Sequence, residues 1–322
     1  MDRTPALKTL GVFCDGPAWA DLWFNQCDLP GGRHKGIQLR PYDGHADHLV
    51  LMGNMPPDVG GYKDAGLGRR IAKLQGRRDA WVLEQICDRL GRAPSDMSMV
   101  VYEPGIAFSD AWYEVANKRF VRVYGPDERA SNPIVLPVMW SFIEGVAQLR
   151  DEKPNTDRPI GLGCVTSGKS DWPGHRDRLA FLRALCEDGI PLELFGMNLP
   201  QDLGGRGPVQ SKGSVLRGAR FTLAIENDAG NDRYVTEKLW DPLISWSLPL
   251  YFGSRAADSL IPMDSFIRLP DLGRGGLEVI REVLSRPAIW EERLDAIEQA
   301  RKLILGEHRL VELFARIVDA NA

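Results

Sequence analysis

The 322-residue chain has little charge of either sign to spare: 40 Lys and Arg against 44 Asp and Glu leave a formal net charge of −4. With no basic excess, bulk electrostatics would not hold a nucleic acid, and none is expected as a partner. Cysteine is scarce and scattered: Cys14, Cys27, Cys87, Cys164 and Cys186 contain no C-x-x-C pair. An odd, dispersed set argues against a disulfide framework and for reduced thiols in a cytosolic protein. Histidine is equally thin. His45 and His48 stand three apart, but nothing near them completes a ligand set, so no structural metal is expected. No apolar run reaches the length of a membrane helix. The opening MDRTPALK is polar, so no signal peptide is expected.

What the chain does have is ordinary for a soluble enzyme. Hydrophobic residues make up 43% and charged residues 26%, with 33 Gly and 22 Pro. That composition suits a loop-rich α/β protein, and the length suggests two domains. The charged, Pro-containing stretch Arg150 to Arg158 reads as the linker. It divides residues 1–154 from 155–305, leaving 306–322 as a terminal amphipathic helix (LVELFARIV within it) that can pack back on the first domain.

The most informative stretch is Phe221 to Pro270. Phe221 to Glu226 is a short apolar run, read as a buried strand. Asn227 to Arg233 is a polar loop. Val235, Leu239, Leu243 and Trp246 then fall at helical spacing, with Thr236 placed as N-cap and Glu237 in the first turn. Leu248 to Phe252 is a second buried strand ended by Gly253. Strand, loop, helix and strand make a βαβ unit of a parallel sheet. Ligands of such sheets sit at the carboxyl ends of the strands, where a helix N-terminus favours an anion. Lys238 would add a cation there, and Glu237 could accept hydrogen bonds from sugar hydroxyls. The plainer alternative is a capped surface helix with a local charge pair.

The order F-x-L-A-x-E-N, Y-V-T-E-K-L-W, P-L-Y-x-G-S and S-F-I in this stretch resembles the signature region of the α1,3-fucosyltransferases, glycosyltransferase family 10. The resemblance implies a GT-B architecture: two Rossmann-like α/β domains with parallel sheets facing a cleft, the nucleotide sugar on the C-terminal one. It also implies that Asn227, Tyr234, Thr236, Glu237 and Lys238 contact a GDP-sugar donor. Two features depart from the pattern. The loop between Asn227 and Tyr234 is one residue longer, and Pro242 interrupts the helix where it removes a backbone donor.

Upstream, Leu7 to Cys14 and His48 to Met52 read as strands, Ala18 to Gln26 as a helix carrying Trp19 and Trp23 for core packing, and Met55 to Leu67 as a Pro- and Gly-rich loop. Arg69, Arg70, Lys73, Arg77 and Arg78 form a solvated face, or a patch toward an anionic membrane. Asp79 to Leu90 is an amphipathic helix with Trp81, Val82, Ile86 and Leu90 on its apolar side. Met97 to Tyr102 is a strand that ends in Glu103-Pro104-Gly105. The family keeps its general base, a Glu, at a comparable strand end. The resemblance therefore points to Glu103, with Asp110 in reserve; the alternative is a strand-end Glu facing water. Ile134 to Val138 reads as a strand and Met139 to Leu149 as a closing helix.

Gly163 to Ser170 (GCVTSGKS) formally matches the P-loop pattern. A P-loop Lys and Ser open a helix directly, whereas here Asp171-Trp172-Pro173-Gly174 intervenes as turn chemistry. By resemblance, Arg178 instead binds the donor diphosphate, in the bidentate geometry Arg offers phosphate; Arg176 is the alternative. Gln201 to Gly213 is Gly-rich and reads as a mobile loop.

Together these features lead to one expectation. An inverting transferase moves a deoxyhexose, most readily L-fucose, from a GDP-sugar to a hydroxyl of a glycan such as a bacterial surface polysaccharide. It needs no cofactor or metal, though a divalent ion could assist, and the enzyme is cytoplasmic or peripheral to a membrane. The rivals are a different sugar nucleotide on the same fold, a P-loop phosphotransferase, and a sugar-nucleotide binder without catalysis.

Overall fold

The computed structural model describes residues 7–14, 24–52 and 78–320. The expected helix with Trp19 and Trp23, the Pro- and Gly-rich loop, and the basic cluster from Arg69 to Arg77 lie outside those residues. The chain divides into two compact units, Met1–Pro137 with Leu310–Ala322, and Val138–Arg309. Among the described residues no helix is long and apolar enough to cross a membrane.

The first unit is built on a seven-stranded sheet in the order β2-β3-β1-β4-β5-β6-β7. The strands are β1 (Lys8–Cys14), β2 (Arg33–His34), β3 (Ile37–Pro41), β4 (His48–Met52), β5 (Met97–Val100), β6 (Arg122–Gly125) and β7 (Asn132–Pro133). All neighbours pair parallel except β2 with β3. The central strand β4 is buried throughout, as a strand covered on both faces must be. Helix α1 (Arg78–Leu90) packs on α2 (Asp110–Arg119) and contributes Leu83, Ile86 and Cys87 to the core with Trp112. Its buried face is thus Ala80, Leu83, Ile86 and Cys87, while Trp81, Val82 and Leu90 are only half-buried. The expected face was rotated by one to two residues because the two large apolar side chains sit at its margin.

The segment after Pro137 departs most from the sequence reading. Ile134 to Pro137 forms no strand, and the helix expected from Met139 is only α3 (Val146–Asp151). The boundary expected at 154/155 lies at 137/138, and the expected linker belongs to the second unit. The reason is burial. Arg158 is 4% exposed and donates to the carbonyls of Leu216, Ala219 and Ser245, with its guanidinium over the Trp290 ring. A buried guanidinium satisfied by carbonyls is core, although its letters read as solvent-facing charge.

The second unit carries β8 (Ile160–Val165), α4 (Pro173–Glu187), β9 (Glu193–Phe195), α5 (Lys212–Gly218), β10 (Ala219–Ile225), α6 (Glu237–Ile244), β11 (Leu248–Phe252) and β12 (Ile267–Arg268). Three longer helices follow: α7 (Arg274–Ser285), α8 (Leu294–Ile304) and, grouped with the first unit, α9 (Leu310–Ala320). The five-stranded sheet has the order β12-β11-β10-β8-β9, with every pair parallel. β10, α6 and β11 form the βαβ unit, Phe221 lying opposite Leu248 and Ile225 opposite Phe252. Between Gln201 and Gly213 the chain is tied rather than loose. Arg206 N–H donates to the Leu194 carbonyl, and Gly196 N–H donates to that of Gly207.

Candidate active site

The candidate site is built at the carboxyl ends of β8 and β10. β10 runs out into Glu226, whose side chain is fully enclosed. Its two oxygens accept from the Thr236 backbone N–H (2.8 Å) and the Thr236 hydroxyl (2.7 Å). Thr236 in turn caps α6, its hydroxyl accepting from Lys238 N–H. One buried carboxylate therefore fixes the first turn of α6 against the end of β10, by charge-assisted bonds of the stronger kind. Burial pushes the Glu226 carboxyl up, and Lys238, 3.8 Å away, opposes this.

In that first turn Lys238 Nζ lies 3.3 Å from Glu237 Oε1. Burial alone would raise the Glu237 carboxyl; Lys238 and Lys212 outweigh it and hold it at about 2. Its side chain keeps 37% of its surface in solvent, so water tempers these interactions. Pro242 sits inside the eight-residue helix without breaking it. Two residues past the end of the helix, Trp246 turns the chain at φ 61°, unusual for a non-glycine residue. The Trp246 indole donates to the Glu152 carbonyl, and its own carbonyl accepts from Trp290.

Arg178, on α4, is 3% exposed and reaches the same place. It donates to Asn227 Oδ1 at 2.6 Å and to the Ser167 carbonyl at 3.3 Å, while its Nε is buried with no protein partner. Arg176, the alternative, is exposed and donates to the carbonyls of Ser170 and Asp171. Tyr234, 2% exposed, is close enough to Arg178 to interact electrostatically with it. Arg178, Asn227, Tyr234, Thr236, Glu237 and Lys238 thus converge on one spot. A cavity of about 20 Å³, room for about one water, opens among Thr166, Arg178, Lys212, Thr222 and Lys238.

The P-loop geometry is absent. Lys169 and Ser170 are exposed, and α4 starts only at Pro173. Gly168 packs so closely that a Cβ there would lie 1.6 Å from the Asn198 carbonyl oxygen, and its N–H donates to the Met197 carbonyl. This turn serves to splice the loop after β8 to the one after β9.

Glu103 belongs to the first unit, three residues beyond the end of β5. Its neighbours are held firmly. The Tyr102 hydroxyl donates to the Pro137 carbonyl (2.8 Å), and Arg129 donates to the Gly105 carbonyl (2.7 Å). Asp127, which accepts from Arg129, fills the space a Cβ at Gly105 would need. Asp110, the reserve, is 85% exposed and paired with Arg129 at 2.5 Å.

Several contributors escaped the sequence reading. Glu226 stood inside the quoted run, and its place at a strand end was a usable signal. Lys212 and the fully buried Asp241, 2.8 Å apart, gave none, being 29 residues apart in different helices. His175, stacked on Trp172 at 4.8 Å between ring centroids, is 3% exposed.

Burial holds the His175 imidazole down at about 4, with Arg178 adding to it. Burial does the same to His48, which hydrogen-bonds Ser98 and also sits at about 4. In the unfolded chain each titrates near about 6.5. Between these values the unfolded chain binds protons that the folded one refuses. Stability is therefore full above about pH 6.5 and falls as pH drops toward about 4, by up to about 3 kcal/mol per ring. Urea midpoints should decline from about pH 7 to about pH 4.5. A flat profile would contradict neutral burial of both rings.

Comparison with known families matches residues 163–274 to the model described as glycosyltransferase family 10 (fucosyltransferase), C-terminal. The match covers about a third of the chain and shows a likeness to glycosyltransferase family 10 over that segment. The family 10 segment contains all the converging side chains just described. GDP-fucose protein O-fucosyltransferase 3 of Canis lupus familiaris is 26% identical over 165 residues, 47% of this chain and 34% of that protein. Its Mus musculus counterpart is 25% identical over 213 residues, 56% of this chain and 44% of that one. The chain thus spans about a third to less than half of the curated relatives it matches. Among solved structures, an α1,3-fucosyltransferase with GDP-fucose aligns at TM-score 0.51 and 15% identity, covering 99% of this chain and 92% of that one. An α-glucosyltransferase with UDP and DNA aligns at TM-score 0.59 and 9% identity, covering 97% and 100%. At such identities the likeness establishes the fold, the α/β GT-B architecture with two parallel-stranded units.

Proposed function

We propose that the family 10 segment binds GDP-fucose and that the chain transfers L-fucose, with inversion, to an acceptor hydroxyl. The observation that carries this reading is the convergence of Arg178, Asn227, Thr236, Glu237 and Lys238 around the Glu226 carboxylate. Arg178, Lys238 and the N-terminus of α6 receive the diphosphate and stabilise the charge that grows on the leaving GDP, a preorganised electrostatic contribution. Glu237 accepts from sugar hydroxyls. Glu103 takes the acceptor proton as its oxygen attacks the anomeric carbon from the face opposite the phosphate. The residues supply the charge neutralisation from their own cations, Arg178 and Lys238.

For the acceptor we propose a glycan hydroxyl, the class implied by the resemblance of the Phe221 to Pro270 stretch to the α1,3-fucosyltransferases. A Ser or Thr hydroxyl of a protein is the second reading, favoured by the protein O-fucosyltransferases that match the sequence. Thermal-shift and calorimetric comparison of GDP-, UDP- and dTDP-sugars, followed by transfer to glycan and peptide acceptors, tests both levels. The expected result is stabilisation by GDP-fucose above the others. Binding confined to a UDP- or dTDP-sugar would overturn the donor assignment.

A further inference from the structure

The family resemblance accounts for two cations at the site, Arg178 and Lys238. The structure places a third beside them. Lys212 is the first residue of α5, at the end of the Gly-rich stretch, and its side chain is 19% exposed. It lines the same cavity as Arg178 and Lys238, together with Thr166 and Thr222. Its ammonium lies 2.8 Å from Asp241 Oδ2, on the turn of α6 that follows Glu237 and Lys238.

Asp241 is itself completely enclosed, and its other oxygen accepts from the Ser141 N–H at 3.1 Å. The carboxylate is therefore fixed from two sides and leaves Lys212 little freedom. An ammonium has three donors, of which Asp241 engages one. Burial opposes charge on Lys212, yet Asp241, Glu237 and Glu226 together hold its pKa above the ordinary value, so it stays a cation. Lys212 and Lys238 both act on Glu237. Both lysines thus act on the same carboxylate in the first turn of α6, whose 37% exposure tempers their pull.

We propose that Lys212 is a third phosphate-binding cation of the nucleoside diphosphate site, delivered from α5 and held in place by Asp241. The inference rests on the donor reading of the site given above. It makes a distinction that reading does not make. Cations brought by two different helices, α5 and α6, would meet a diphosphate, and their combined pull should grow with each phosphate on the nucleotide.

The test is calorimetry with GDP and GMP on wild type, Lys212→Met and Lys212→Arg, at low and high salt. Methionine keeps the apolar stem and removes the charge, and arginine restores it. Lys212→Met should weaken GDP binding by about tenfold to a hundredfold and GMP binding by less, so that the preference for GDP over GMP shrinks. The salt dependence of GDP binding should also become shallower, and Lys212→Arg should recover most of the preference. Melting temperatures are measured in parallel. A Lys212→Met protein that melts earlier but keeps the full GDP-over-GMP preference shows a structural ion pair only, which overturns the inference and leaves the donor reading intact. If the wild type instead prefers UDP or dTDP, the guanine assignment fails. Lys212 is then decided by the same diphosphate-to-monophosphate ratio with that nucleotide. A wild type that binds no nucleoside diphosphate sinks both.

Discussion

Glu103→Gln is expected to lower sugar transfer by about 10²–10⁴-fold with little change in GDP affinity, the signature of a lost general base. Glutamine keeps the shape of the side chain and removes its basicity. The proposed donor contacts belong to Val138–Arg309, whereas Glu103 belongs to the other unit, so donor binding should survive. The surrounding loop is built to hold still. Tyr102 is tethered to the Pro137 carbonyl, and Arg129 grips the Gly105 carbonyl while Asp127 fills the space beside Gly105. Asp110 lacks that support, being largely exposed and committed to Arg129. Transfer, donor hydrolysis and GDP affinity should be measured together. Wild-type transfer in Glu103→Gln would remove the assignment, with Asp110→Asn next. Loss of GDP binding along with activity would show that Glu103 has a structural part instead.

The second large effect is expected at Arg178. Arg178→Ala should weaken GDP binding by about 2–4 kcal/mol, roughly 30- to 1,000-fold, the cost of deleting one member of a buried, hydrogen-bonded charge cluster. Arg178→Lys keeps a cation but loses the planar fork, which here spans Asn227 and the Ser167 carbonyl, so it should recover only part of the loss. Circular dichroism must show both variants folded, because Arg178 is buried. Arg176→Ala and Lys169→Ala should bind as wild type, since both side chains face solvent. Full GDP affinity in a folded Arg178→Ala would refute the assignment. Loss confined to Lys169→Ala would revive the P-loop.

The βαβ core of the site was legible because its signals are local. β10 and β11 are mostly apolar and almost wholly buried, and Thr236 announces the start of α6 three residues before its first buried apolar side chain. The partners of those elements were not legible, because they are contacts between distant residues. Nothing in the letters K-G-S-V indicates that Lys212 will find Asp241, or that Glu226 will face inward to hold Thr236. The misreadings have a common physical cause. Arg150 to Arg158 was judged by charge, but a guanidinium whose donors all meet carbonyls can be interior. β2 and β3 went unseen because Arg33 to Pro41 is mostly polar, and only Ile37 and Leu39 carry the alternation of a half-buried strand.

One feature of the first unit bears on how the chain is made. Gln26 accepts from the N–H of Leu310, 284 residues later, and His34 lies between Asp28 and Glu312 of α9. During translation these early side chains emerge without their partners. At ribosomal speeds of about 5–20 residues per second, they wait roughly a quarter of a minute to a minute for α9. Every helix and strand of the Val138–Arg309 unit leaves the ribosome in that interval. The Val138–Arg309 unit can therefore be complete before the one that begins first.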